Sequence, residues 1–235
     1  MFHILKKSNN LFKKIHNEEI KLEKFSKGPD DHFTTADYII QKMFENNLEK
    51  FYPEIKIIGE EDTTKDTIKE SEYYKVDSEN EINFNFLNTI FKENEKTKNF
   101  SMEDLAFFID PIDSTSNFIK KKYAPVTVMI GLTKNEIPFF GILHYFSWEG
   151  NNEISKTIFN YPGEGVYEIN LDAKKGNEEI KKMEFKKQEN LVNIVTSRTR
   201  TVDKTEKCIR NKKSFFLIFF ICFICFIYFI YFFRL

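Results

Sequence analysis

The chain has 235 residues, with 35 basic and 36 acidic side chains and a formal net charge of −1. That length holds one large domain, or one domain with an appendage. The even balance excludes the broad positive field of a nucleic-acid-binding surface, so a phosphorylated ligand has to be neutralised locally, by bound cations or a helix N-terminus.

Ile4, Leu5, Phe12, Ile15, Ile20 and Leu22 predict an amphipathic helix over residues 1–25, broken at Lys27-Gly28-Pro29-Asp30-Asp31. The apolar stretch at the start is too short for a secretory signal. A second helix is predicted from Thr34, where Thr34 and Asp37 form a capping-box variant and Ile40, Met43, Phe44 and Leu48 follow at helical spacing, with Pro53 ending it. Residues 55–58 read as a short buried strand that halts at Gly59-Glu60-Glu61-Asp62. Residues 63–103 read as a solvated, charged insertion. A second buried strand, 105–109, halts at Asp110-Pro111-Ile112-Asp113, and a short helix over 114–120 follows. Further strands are predicted over 126–132, 139–145, 165–170 and 192–196, the first two joined by Lys134-Asn135-Glu136, and a helix over 202–210.

Residues 215–233 are an unbroken apolar or aromatic run flanked by Lys212, Lys213 and Arg234. At roughly 1.5 Å per residue the run is long enough to cross a bilayer. Its excess of Phe and Tyr over Leu is unusual for a span, and a translated intron or shifted frame gives the same composition. Two of the three cysteines, Cys222 and Cys225, lie inside this run and Cys208 precedes it, which is no disulfide framework. The expected location is therefore a reducing one, the cytoplasm, with membrane anchoring through 215–233 as the alternative.

The informative feature is a pair of apolar strands that each run into carboxylates. Crowded carboxylates at buried strand ends repel one another and are costly to desolvate, and a hard divalent cation removes that cost. Asp110, the Ile112 carbonyl and Asp113 can point inward together across the stiff Pro111 turn. The backbone N–H groups of Ser114 and Thr115 can hold a phosphate oxygen, and the Thr115 hydroxyl can relay a proton from an attacking water.

Asp110-Pro111-Ile112-Asp113-Ser114-Thr115 resembles the metal-binding signature of the inositol monophosphatase superfamily. Ile57-Ile58-Gly59-Glu60-Glu61-Asp62 and Thr34-Thr35-Ala36-Asp37 are similar to two further elements of that group, in the same order. The resemblance implies an α/β fold, a layered αβαβα sandwich of the sugar-phosphatase type truncated in its second half, with residues 1–210 as the phosphatase domain. It also implies two or three Mg²⁺ ions and a lithium-sensitive hydrolysis of a small phosphorylated substrate by metal-activated water. Glu60, Asp110 and the Ile112 carbonyl would hold the first ion, and Asp110 and Asp113 would contribute to the second. Asp37 and Thr115 would orient the water, Glu61 would support the metal ligands from behind, and Ser114 and Thr115 would bind the phosphate.

Ser114, where related enzymes usually show glycine, and the insertion at 63–103 resemble the inositol polyphosphate 1-phosphatases. Val195-Thr196-Ser197-Arg198-Thr199 resembles an element of the 3'(2'),5'-bisphosphate nucleotidases, which gives the alternative substrate. The family's Trp-Asp element, which completes the second metal site, has no counterpart in residues 1–210, because Trp148-Glu149 comes too early. Feeble turnover is the resulting expectation, and an inactive, membrane-tethered remnant is the third reading.

Overall fold

The structure, a computed structural model, describes residues 1–28, 31–63, 101–146, 155–172 and 180–184. Residues 192–196, 202–210, 215–233 and most of the 63–103 insertion, each assigned a character from sequence, lie outside the described residues. Among the described residues no helix is long and apolar enough to cross a membrane.

Helix α1 (Phe2–His16) buries Ile4, Leu5, Ser8, Asn9, Leu11, Phe12 and Ile15 along one stripe, and Lys13, Lys14 and His16 complement its C-terminal dipole. It ends sooner than the sequence suggests. Asn17 caps it, Glu18 takes a left-handed φ of 62°, and Ile20 and Leu22 pack against the core from outside the helix. The chain then forms an unexpected hairpin of β1 (Lys24–Gly28) and β2 (Asp31–Thr34), where a helix break had been foreseen. Phe25 and Phe33 are cross-strand partners whose rings stack at 4.9 Å, and that pair stabilises so short a ladder. Helix α2 (Thr35–Phe51) follows with Thr34 as N-cap, and it stops at Tyr52, before Pro53.

The main sheet has seven strands in sequential order: β3 (Lys56–Gly59), β4 (Leu105–Asp113), β5 (Thr127–Lys134), β6 (Ile137–Tyr145), β7 (Lys156–Tyr161), β8 (Gly165–Ile169) and β9 (Ile180–Lys182). Only β3 and β4 run parallel, and every other neighbouring pair is antiparallel. β4 does not halt at Asp110 as expected, because Asp113 pairs with Thr127 beyond an irregularity. Helix α3 (Thr115–Ile119) leaves its end. The β5–β6 turn places Asn135 and Glu136 at φ 49° and 65°, the twist that a tight hairpin requires. β7 was not foreseen: Ile158 alternates with Thr157 and Phe159, so its pattern shows no single apolar face.

Cross-strand partners share a face, so Ile109, Ile130, Ile142, Phe159 and Tyr167 form one continuous buried row over five strands. Phe2 meets Phe159 edge-on at 5.1 Å, and Phe12 stacks on Phe146 at 4.7 Å, which seats α1 on that row. The side chains of α1, α2 and the sheet belong to one apolar core, as an α/β fold requires.

A polar group interrupts the next row. His144 is fully buried, with Nδ1 2.8 Å from Thr157 Oγ1. Beside it Asp172 accepts hydrogen bonds from Asn9 and from Ser155 at 2.8 Å, and Lys13 lies 3.5 Å away. Burial lowers the His144 pKa to about 4, despite the opposing charge of Asp172. Between pH 6.5 and 4 the unfolded chain therefore takes up a proton that the folded chain refuses. Stability should fall as pH drops through that window, by roughly 3 kcal/mol. Denaturation midpoints measured across this range should show the loss, and His144→Gln should flatten it. An unchanged slope in the variant would assign the acid sensitivity to carboxylates instead.

Candidate active site

The parallel pairing of β3 with β4 sets the site. Gly59 lies opposite Ile109, and the Glu60 N–H donates to the Ile109 carbonyl at 2.9 Å. The next residues, Glu60 and Asp110, therefore leave the ladder side by side at one edge of the sheet. On the other flank Asp110 pairs with Met129 and Asp113 with Thr127, so β4 carries one extra residue over this step. Pro111 has no N–H to give to a ladder, and a bulge at this place costs little. Asp110 is buried, Asp113 half-buried, and the Ile112 carbonyl accepts the Thr115 hydroxyl at 2.9 Å.

Asp37 enters from the first turn of α2, where the capping box makes it indispensable. The Thr34 N–H and hydroxyl both donate to Asp37 Oδ2, at 2.7 and 2.5 Å, while Thr34 Oγ1 accepts from the Ala36 N–H at 3.2 Å. The other oxygen, Oδ1, lies 3.3 Å from Thr115 Oγ1. Thr115 thus bridges the β4 bulge and the α2 N-terminus. Burial raises the Asp37 pKa to about 7, the Glu61 charge adds to the rise, and the Thr34 hydrogen bonds oppose it.

Two residues that sequence reasoning missed complete the arrangement. Lys27, on β1, places Nζ 2.6 Å from Glu61 Oε1 and 3.7 Å from Glu60 Oε1. In sequence it stood inside an apparent helix break, with nothing to mark it. Gln41 binds both backbone groups of Glu61: its Nε2 donates to the Glu61 carbonyl, and its Oε1 accepts the Glu61 N–H, each at 2.8 Å. Here a signal was present. Asp37, Gln41 and Glu45 recur every four residues and draw a polar stripe along an otherwise apolar helix face.

The structure thus links Asp37, Thr115 and the Ile112 carbonyl in one chain of contacts, and Glu60, Glu61 and Lys27 in a second. Asp110 and Asp113 stand at the same sheet edge. Among the described residues, no three His, Cys, Asp or Glu side chains are gathered closely enough to hold a metal ion by themselves.

Ser114 caps α3 with φ 68° and ψ 41°, a left-handed conformation that costs an L-residue roughly 1–2 kcal/mol. The backbone demands that shape so that β4 can turn directly into α3. Ser114→Gly should accordingly raise stability by about 1 kcal/mol in denaturant titration, since glycine reaches this region without steric strain. A destabilised variant would show that the serine side chain contributes more than its backbone strain costs.

A model of the inositol monophosphatase family matches residues 3–216. The chain is 26% identical over 167 residues to 3'(2'),5'-bisphosphate nucleotidase 1 of Dictyostelium discoideum, covering 67% of this chain and 51% of that protein. It is 26% identical over 163 residues to inositol monophosphatase 3 of Xenopus tropicalis, covering 65% and 40%. The chain therefore spans about half, or less, of these relatives' lengths. Among solved structures it is similar to an IMPase from Thermotoga maritima, with 20% identity, 70% and 48% coverage and a TM-score of 0.44. It is also similar to the extragenic suppressor protein suhB from Bartonella henselae, with 21% identity, 68% and 46% coverage and a TM-score of 0.43. With its signature elements in order and almost its whole length matched, the chain belongs to the inositol monophosphatase family.

Proposed function

We propose that this chain takes part in Mg²⁺-dependent hydrolysis of phosphate monoesters, with inositol polyphosphates as the substrate class. The observation that carries this reading is the side-by-side exit of Glu60 and Asp110 from two parallel strands, with β4 running on to Thr115, whose hydroxyl lies 3.3 Å from Asp37. The donors at this edge, three carboxylates and the Ile112 carbonyl, are all oxygen, which fits a hard divalent cation in kind. Glu60, Asp110, Asp113 and the Ile112 carbonyl would hold it, and water and substrate oxygens would fill the remaining positions, as Mg²⁺ prefers. When bound, Mg²⁺ neutralises phosphate charge and makes water acidic enough to serve as nucleophile.

The protein's own groups supply the rest. The Thr115 hydroxyl is held by the Ile112 carbonyl and faces Asp37 Oδ1, so its lone pairs can orient a water. A carboxyl raised to about 7 can accept that water's proton near neutral pH. The Ser114 and Thr115 amides precede the first internal hydrogen bond of α3, from the Asn117 N–H to the Ser114 carbonyl, and they suit a phosphate oxygen. Lys27 adds a fixed positive charge next to Glu61.

The similarity to a bisphosphate nucleotidase over two thirds of the chain supports a second reading, with 3'(2'),5'-bisphosphate nucleotides as substrate. Phosphate release from inositol 1,4-bisphosphate and from adenosine 3',5'-bisphosphate, titrated with Mg²⁺, separates the two. We expect slow, Mg²⁺-dependent release that favours the inositol compound and drops about a thousandfold, or about 4 kcal/mol of barrier, in Asp110→Asn. Preference for the nucleotide moves the assignment to the second reading. Release indifferent to Asp110 overturns the site, and no release at any Mg²⁺ concentration leaves a non-catalytic, metal-binding role.

A further inference from the structure

We propose that Gln41 is a positioning residue that holds the acidic loop at residues 59–63 in the shape that receives a cation. The inference rests on the Mg²⁺ reading above. Glu60 and Glu61 follow the last residue of β3, so the sheet itself fixes only the Glu60 N–H. Everything after it needs another anchor, because adjacent carboxylates repel and drive such a loop open.

Gln41 supplies that anchor from α2. Its carboxamide pairs with the N–H and the carbonyl of one residue, Glu61, in the manner of a strand neighbour. The second Nε2 hydrogen goes to Glu45 Oε1 at 2.8 Å, and Glu45 in turn accepts the Thr63 hydroxyl at 2.9 and 3.1 Å. The loop is thereby held at Glu60, Glu61 and Thr63 while the Glu60 side chain stays 47% exposed towards solvent. Only a carboxamide serves here: a carboxylate cannot donate to the Glu61 carbonyl, and an ammonium cannot accept from its N–H. Gln41 is itself 1% exposed, so its polar atoms have no water to fall back on.

Gly59 is shaped to the same purpose. A Cβ there would lie 2.0 Å from Gln41 Nε2 and 2.2 Å from its Cδ. Any side chain at 59 evicts the carboxamide, which links the glycine before the two glutamates to a residue 18 positions earlier in the chain.

Thermal melting of the full chain with and without Mg²⁺ reads the effect, using Gln41→Met, which keeps the volume and removes both polar roles, and Gly59→Ala. The unmodified chain should melt higher as Mg²⁺ is added. Both variants should need about tenfold more Mg²⁺ for the same increment, the loss expected from two missing hydrogen bonds. The double variant should be no worse than either single one, because both changes break one clamp. A merely structural role would lower melting with and without Mg²⁺ equally and leave the half-saturating concentration unchanged, which overturns the proposal. Additive losses in the double variant overturn it as well. An unmodified chain whose melting ignores Mg²⁺ overturns the metal reading itself, and the clamp with it.

Discussion

Two carboxylate-tipped strands lying parallel and adjacent is the constraint on which the rest of this structure depends. Parallel pairing puts both C-terminal ends at one edge of the sheet, and the register of Gly59 with Ile109 puts Glu60 and Asp110 abreast. An antiparallel arrangement of the same two segments would send the carboxylates to opposite edges. The price is electrostatic, since like charges a strand apart repel in a partly desolvated place. The Lys27 ammonium answers it directly, and the β4 bulge re-aims the chain at Pro111, whereas Asp37, beside Thr115, feels the Glu61 charge and has its pKa raised further by it.

Helix α2 organises this edge more than any other element. Its apolar stripe fastens it to the core, while Asp37, Gln41 and Glu45 form a second stripe one turn apart that faces the strand ends. Asp37 belongs to both the fold and the site, because one carboxylate oxygen closes the capping box and the other meets Thr115. Such sharing couples helix stability to site geometry, and no substitution at Asp37 can separate them.

The sequence made the strand ends and the Thr34–Asp37 cap legible because both are local. Carboxylates after an apolar run, and a hydroxyl three residues before an acid, are visible within six residues of one another. What it concealed depended on distance. Lys27 and Glu61 are 34 residues apart, and Gln41 and Glu61 are 20 apart. A lysine just before a Gly-Pro pair and a glutamine on a helix carry no mark of a partner that far away. The β1–β2 hairpin was hidden for a similar reason: its stability comes from one aromatic pair that exists only after the chain has folded back on itself. β7 escaped because its buried positions, Thr157 and Phe159, flank Ile158 on the other face, so polar and apolar residues are mixed on both sides of the strand.

The hairpin that carries Lys27 forms a two-stranded sheet of its own, separate in hydrogen bonding from the seven-stranded one. The Glu61 side chain that it neutralises is only 3% exposed. The chain thus brings its own counter-ion to the acidic edge, mounted on a ladder separate from the main one. Lys27 gives the buried carboxylate a positive neighbour that cannot diffuse away. A tethered ammonium lets the acidic edge fold before any cation is present, and a cation that bound there would add its stabilisation to a chain already folded.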